Sequence, residues 1–147
     1  MTEHKILAHQ LTLPVRWADM DVNGHVNNVC FFTYFECARL AWLDAVRARG
    51  ERNGQGCVVA KATCNYQRPI PYPETVLVNL YAGPPGRTSY TTYYDLLSAA
   101  NPSVKYGDGT AVMVWVDRAS GKSHPLPDYI RAVLAPLSTA VKEKITV

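Results

Sequence analysis

Nineteen residues, Val29 to Arg47 (VCFFTYFECARLAWLDAVR), run without glycine or proline and constrain this chain more than any other stretch. A continuous apolar run of that length is too long for a strand and reads as a helix, stopped by Gly50 and the Asn53-Gly54 pair. At 100° per residue Glu36, Arg39 and Arg47 share one sector, yet Leu40 and Leu43 fall inside it. The helix therefore has no clean solvated face. A helix that is apolar nearly all round is a buried one, so the rest of the chain must wrap it or a partner must cover what is left.

The wrapping material is β-rich. Leu11 to Trp17 reads as a first strand, with Pro14 tolerable at an edge or a bulge. Cys57 to Gln67, Thr75 to Ala82, Thr88 to Ser98 and Lys105 to Asp117 are rich in Val, Thr and Tyr. Turn clusters separate them: Arg68 to Pro73, Gly83 to Gly86, Asn101 with Pro102, and Gly107 to Gly109. Such short connections favour antiparallel neighbours. Ala111 to Val116 (AVMVWV) is apolar at every position and is expected to be central and covered on both faces. The tail, Leu126 to Leu137, holds two prolines and a short helical turn. The expected order is β-α-β-β-β-β, an α+β arrangement with one long helix against an antiparallel sheet, in a single domain over residues 1–147.

Charge and cysteine usage narrow the partners. With 15 basic and 12 acidic residues and no block of like charge, nothing suggests a nucleic-acid tail or a polybasic membrane anchor. No eighteen-residue apolar window is present, and Met1 to Gln10 is mixed and polar, which points to a cytoplasmic protein. Cys30, Cys37, Cys57 and Cys64 form no C-x-x-C pair and read as small core residues in a reducing compartment. A chain of this size needs neither disulfide nor metal to hold a core. Asp19, Asp21 and His25 have no further His or Cys at ligand spacing, so no metal and no cofactor are expected.

The densest polar signal lies just before the helix, at Asp19, Asp21, Asn23, His25, Asn27 and Asn28. A helix N-terminus offers free N–H groups and the positive end of the macrodipole, suited to an oxyanion or a polarised carbonyl. A carboxylate nearby supplies a base or a nucleophile, and the two together are what acyl transfer requires.

The stretch VRWADMDVNGHVNNVCFFTYFECARLAWL resembles the motif of the 4-hydroxybenzoyl-CoA thioesterase-like hot-dog family, in which R-W-x-D-x-D-x-x-G-H-V-N-N leads into the central helix. Its D-V-N-x-H-V-N-N part is also similar to acyl-acyl-carrier-protein thioesterases. Weaker agreement continues through CNYQRPIPYPETV and GTAVMVWVD. The resemblance implies a five-stranded antiparallel sheet round one helix, a homodimer or homotetramer with active sites at the subunit interface, and hydrolysis of acyl-CoA without metal or prosthetic group. Position by position it implies Asp21 as general base or nucleophile and the Asn28 backbone N–H as the group polarising the thioester carbonyl. Asn23 and His25 match residues that orient substrate and water in the carrier-protein enzymes. Arg87 falls where basic residues meet the CoA phosphates.

Plainer roles stand beside these. Asp19 shapes the loop, Asp21 can cap a turn, His25 can hold the loop through its ring, and Asn27 and Asn28 are good caps in any protein. Glu36 and Arg39 form a plausible i,i+3 pair or, if buried, face a partner or the substrate. Phe31, Phe32, Tyr34, Phe35 and Trp42, with Tyr66, Tyr90 and Trp115 on strands, are core residues first and tunnel lining second. The alternatives to an acyl-CoA thioesterase are an acyl-carrier-protein thioesterase or a non-catalytic acyl-CoA binding protein. Hydratase chemistry is disfavoured by the continuous motif at the helix start.

Overall fold

The computed structural model describes residues 6–134. Strand β1 (Ile6–Pro14) leads through a single 3-10 turn (Trp17–Asp19) into helix α1 (Asn28–Ala45). Strands β2 (Gln55–Tyr66), β3 (Thr75–Ala82), β4 (Ser89–Ser98) and β5 (Lys105–Asp117) follow, then a short helix over residues 128–134. The strands form one sheet in the order β1-β3-β4-β5-β2, antiparallel throughout. This is the α+β architecture expected.

Helix α1 begins where the polar loop ends, with Asn27 as its cap: the side-chain oxygen accepts from the Val29 N–H at 2.9 Å. It stops two residues short of Arg47, which turns the chain away at φ 57°. The helix buries Phe31, Tyr34, Phe35, Ala38 and Trp42 against one face of the sheet. β3 meets it with Val76, Val78, Leu80 and Ala82, and β4 with Tyr90, Thr92, Tyr94 and Leu96. Val29 and Phe32 stay exposed, so one side of the helix is left uncovered.

Several expectations need correction. The first strand lies earlier than Leu11 to Trp17; it ends at Pro14, whose missing N–H is harmless at the end of an edge strand, and Trp17 sits in the turn. The AVMVWV run does lie between two strands, but Ala111, Met113 and Trp115 are buried while Val112 and Val114 are only half-buried. Valine serves there for its fit to a pleated surface rather than for two-sided burial. Gly107 to Gly109 is no separator either, since β5 runs through it. The sequence cluster ending Leu126 to Leu137 supplies Leu126, Ile130 and Leu134 to the core; residues 135–137 lie outside the described residues.

The largest difference concerns β2. It does not pair with β3 but with β5, at the far edge of the sheet. Three inter-strand spacings, about 14 Å, separate β2 from β3. The eight residues between Tyr66 and Thr75 can reach about 27 Å when extended and so cross the end of the sheet. Proline at 69, 71 and 73 suits that extended path. Ile70 is buried within the crossing and its carbonyl accepts from the Val26 N–H at 3.0 Å. The crossover thereby runs beneath the N-terminus of α1.

Candidate active site

The loop before α1 is built on Asp19, whose carboxylate is 2% exposed. It accepts from the Arg16 N–H at 3.0 Å, from the Arg16 guanidinium at 3.0 and 2.7 Å, and from the Tyr34 hydroxyl at 2.8 Å. Burial pushes this carboxyl up, but the Arg16 and Tyr34 hydrogen bonds outweigh it and hold the group below the usual carboxylate range. The same burial, with the Asp19 charge, pushes the Tyr34 hydroxyl up. The Asp19 carbonyl accepts from the Asn27 N–H at 2.8 Å and from the Cys30 thiol at 3.7 Å. One residue thus ties β1's exit to the first turn of α1.

Between these anchors the chain makes a tight excursion closed by a Met20–Val26 bridge. Gly24 lies at φ 79°, a conformation glycine adopts freely. The Asp21 N–H donates to the His25 carbonyl at 2.9 Å, and its Oδ1 accepts from the N–H of Asn23 at 2.9 Å and of His25 at 3.5 Å. Only Oδ1 is used. Oδ2 has no protein partner among the described residues.

Asp21, His25 and Asn28 line one cavity of about 340 Å³, together with Val26, Phe31, Tyr66, Gln67, Arg68 and Pro69. Asn28 is the first residue of α1, and its N–H finds no protein acceptor among the described residues. Its carbonyl accepts from the Tyr66 hydroxyl at 3.0 Å, and the Tyr66 ring stands edge-on to Phe31 at 4.8 Å. The end of β2 thereby fixes the helix start. A half-buried carboxylate, a free helix N–H and an imidazole around one hollow can hold a carbonyl oxygen and deliver a base to its carbon.

The remaining sequence-derived residues lie elsewhere. Asn23 is exposed at the tip of the excursion, contributing its backbone N–H to Asp21 without lining the cavity. Arg87 lies at the opposite end of the sheet: Tyr66 is opposite Gly107 on β5, whereas the neighbouring Thr88 carbonyl meets the Trp115 N–H. Eight β5 residues, about 25 Å, separate the two levels. Tyr66, expected from the sequence as a core aromatic with tunnel lining as its second role, lines the cavity, whereas Gln67, Arg68 and Pro69 carry no such expectation. The RPIPYP cluster carried the signal, as a proline-rich segment too long for a tight hairpin.

A profile of the thioesterase-like superfamily matches residues 15–134. The chain belongs to that superfamily and is a thioester hydrolase by class, with the hot-dog fold that the motif implied. The uncharacterised protein YsmA of Bacillus subtilis (strain 168) is 31% identical over 109 residues, 74% of this chain and 73% of its own. Among solved structures, the PA2801 protein of Pseudomonas aeruginosa, provisionally described as a thioesterase, shares 42% identity at a TM-score of 0.80, covering 86% of this chain and 98% of its own. A thioesterase of Thermus thermophilus, solved with coenzyme A and zinc, is 27% identical at a TM-score of 0.74, covering 90% and 96%.

Proposed function

We propose that this thioester hydrolase acts on acyl-CoA, releasing the free acid and CoA, with Asp21 as the general base or nucleophile. The observation that carries this reading is the convergence of Asp21, His25 and the first residue of α1 on one cavity. The thioester oxygen sits against the Asn28 N–H, where charge develops as the carbon is attacked. Asp21 takes a proton from the attacking water, or adds directly to form a mixed anhydride that water then opens. Collapse of the tetrahedral intermediate expels the thiolate, which leaves as the thiol. A positioned base contributes roughly 10²- to 10⁴-fold. One oxyanion donor is worth about 2.7–4 kcal/mol of barrier.

The working unit in this reading is a cytoplasmic homodimer. Four free, half-buried thiols suit a reducing compartment. The outer edge of β2 has no ladder partner among the described residues, and Val58 and Val59 on it are exposed, as are Val29 and Phe32 on α1. An edge of this kind invites pairing with a second copy. His25 at the cavity, in its D-x-N-x-H setting, favours a second reading in which the acyl group arrives on a carrier protein.

The test is thiol release over short, medium, long and aromatic acyl-CoAs, repeated with the best acyl group on a carrier protein. Asp21→Asn is expected to lower kcat at least about a hundredfold. The asparagine oxygen still accepts from the Asn23 and His25 N–H groups, so the fold should persist by circular dichroism. Wild-type turnover in that variant would remove Asp21 from the mechanism. Saturable acyl-CoA binding with no thiol released from any thioester would leave a binding protein instead.

A further inference from the structure

We infer that α1 docks on α1 of a second copy through reciprocal ion pairs, Glu36 of each chain against Arg39 of the other. Arg39 is 9% exposed, and its Nη1 donates to the Tyr94 hydroxyl at 3.0 Å, a hydroxyl itself bonded to Thr92 Oγ1 at 2.6 Å. A guanidinium carries five donors and a full charge. Among the described residues no carboxylate pairs with it, although a buried unpaired charge is strongly unfavourable. Glu36, one turn earlier, is exposed and equally without an ion pair among those residues. The two are close enough along the helix to pair, yet Arg39 turns inward to Tyr94 and leaves Glu36 facing out.

Both residues line a hollow between α1 and β2, with Val59 and Ala62 on its β2 side. Those strand residues flank the middle of β2 (Gln55–Tyr66), where the ladder to β5 is irregular between Val59 and Lys61. If two β2 edges pair antiparallel about their midpoints, the two-fold axis passes at this level. Isologous contact then requires residue i to meet j and j to meet i, which an acid and a base one turn apart satisfy. An acyl chain suits the place less well. The hollows lined by Arg39 measure about 150 and 230 Å³, below the roughly 300 Å³ at which ligand pockets begin.

This inference rests on the homodimer reading, and the experiment separates the two. Sedimentation of Glu36→Arg and Arg39→Glu, each alone, is expected to show a dimer dissociation constant raised at least about tenfold. Mixed one to one, they should form a heterodimer within about threefold of the wild-type constant, because the two like-charged pairs of each single-variant dimer are replaced by two opposite ones. A pair within one chain gains nothing from mixing. Dimers of wild-type strength in both single variants, or no heterodimer on mixing, overturns the inference while the homodimer stands. Unchanged dimers with a raised KM for one class of acyl chain overturns it in favour of a substrate role. A wild-type chain that sediments as a monomer sinks both readings. Should Arg39→Glu fail to fold, Glu36→Gln at its exposed position carries the test: an at least about tenfold weaker dimer is expected, and an unchanged one overturns the proposal.

Discussion

Asp19 and Asp21 stand two residues apart in one motif and have opposite surroundings. Asp19 is buried and holds Arg16, Tyr34 and, through its carbonyl, Asn27; Asp21, beside the cavity, keeps one oxygen without a protein partner among the described residues. Replacing Asp19 by asparagine removes a charge that Arg16 and Tyr34 need, and is expected to cost about 1–3 kcal/mol of stability. The acid dependence follows from the lowered carboxyl. A group depressed in the fold contributes stability above its unfolded value, about 3.9, and loses it as pH falls through the lower folded value. Thermal melts from pH 7 to pH 2 should therefore show wild type ahead of Asp19→Asn at neutral pH, with the gap closing below about pH 4. A gap constant with pH would mean the charge on Asp19 is not what the loop uses. The sequence separated these two acids by motif position, and the plainer expectation for Asp19, a shaper of the loop, agrees with its hydrogen bonds.

At the scale of elements, strand interiors were legible where β-branched and aromatic residues concentrate. Thr75 to Ala82 and Lys105 to Asp117 match β3 and β5, because Val, Thr and Tyr side chains fit a pleated, half-buried surface, whereas the alternation of burial along them is not written in their near-continuous apolar runs. Glycine is ambiguous, since it marks either a turn or a close approach. Gly107 and Gly109 are the second case. A Cβ on Gly109 would stand 2.5 Å from Phe35 Cε2 and 2.6 Å from the Thr63 carbonyl, and one on Gly107 would stand 2.5 Å from the Asn65 carbonyl. Their bareness lets α1 lay Phe31 and Phe35 against the sheet close to the cavity. Gly109→Ala is expected to destabilise by about 1–3 kcal/mol, read as a lower urea midpoint at unchanged slope. A wild-type midpoint would show that the helix is not seated on that glycine. The β2–β3 crossover was harder to read, because strand order depends on long-range pairing that local spacing does not encode.

Across the whole molecule, the position of Arg87 becomes an argument about pairing. Within one chain it lies about 25 Å along the sheet from the cavity, too far to touch a thioester held by Asp21. If two β2 edges run antiparallel, the Gln55 end of one strand falls beside the Tyr66 end of the other. The Arg87 end of the partner then comes to the cavity's side of the dimer, where a guanidinium can meet the phosphates of CoA bidentately. Arg87→Ala should accordingly raise KM for acyl-CoA and leave a pantetheine thioester without nucleotide phosphates unaffected. Complementation tests the geometry itself. In a heterodimer of Asp21→Asn with Arg87→Ala, one of the two cavities draws its aspartate from one chain and its arginine from the other, and is intact. Random reassortment of equal amounts makes half the dimers mixed, so about a quarter of wild-type sites should reappear at subsaturating acyl-CoA. Activity that stays at the mean of the two separate preparations would place Arg87 outside the site in every arrangement of the chains.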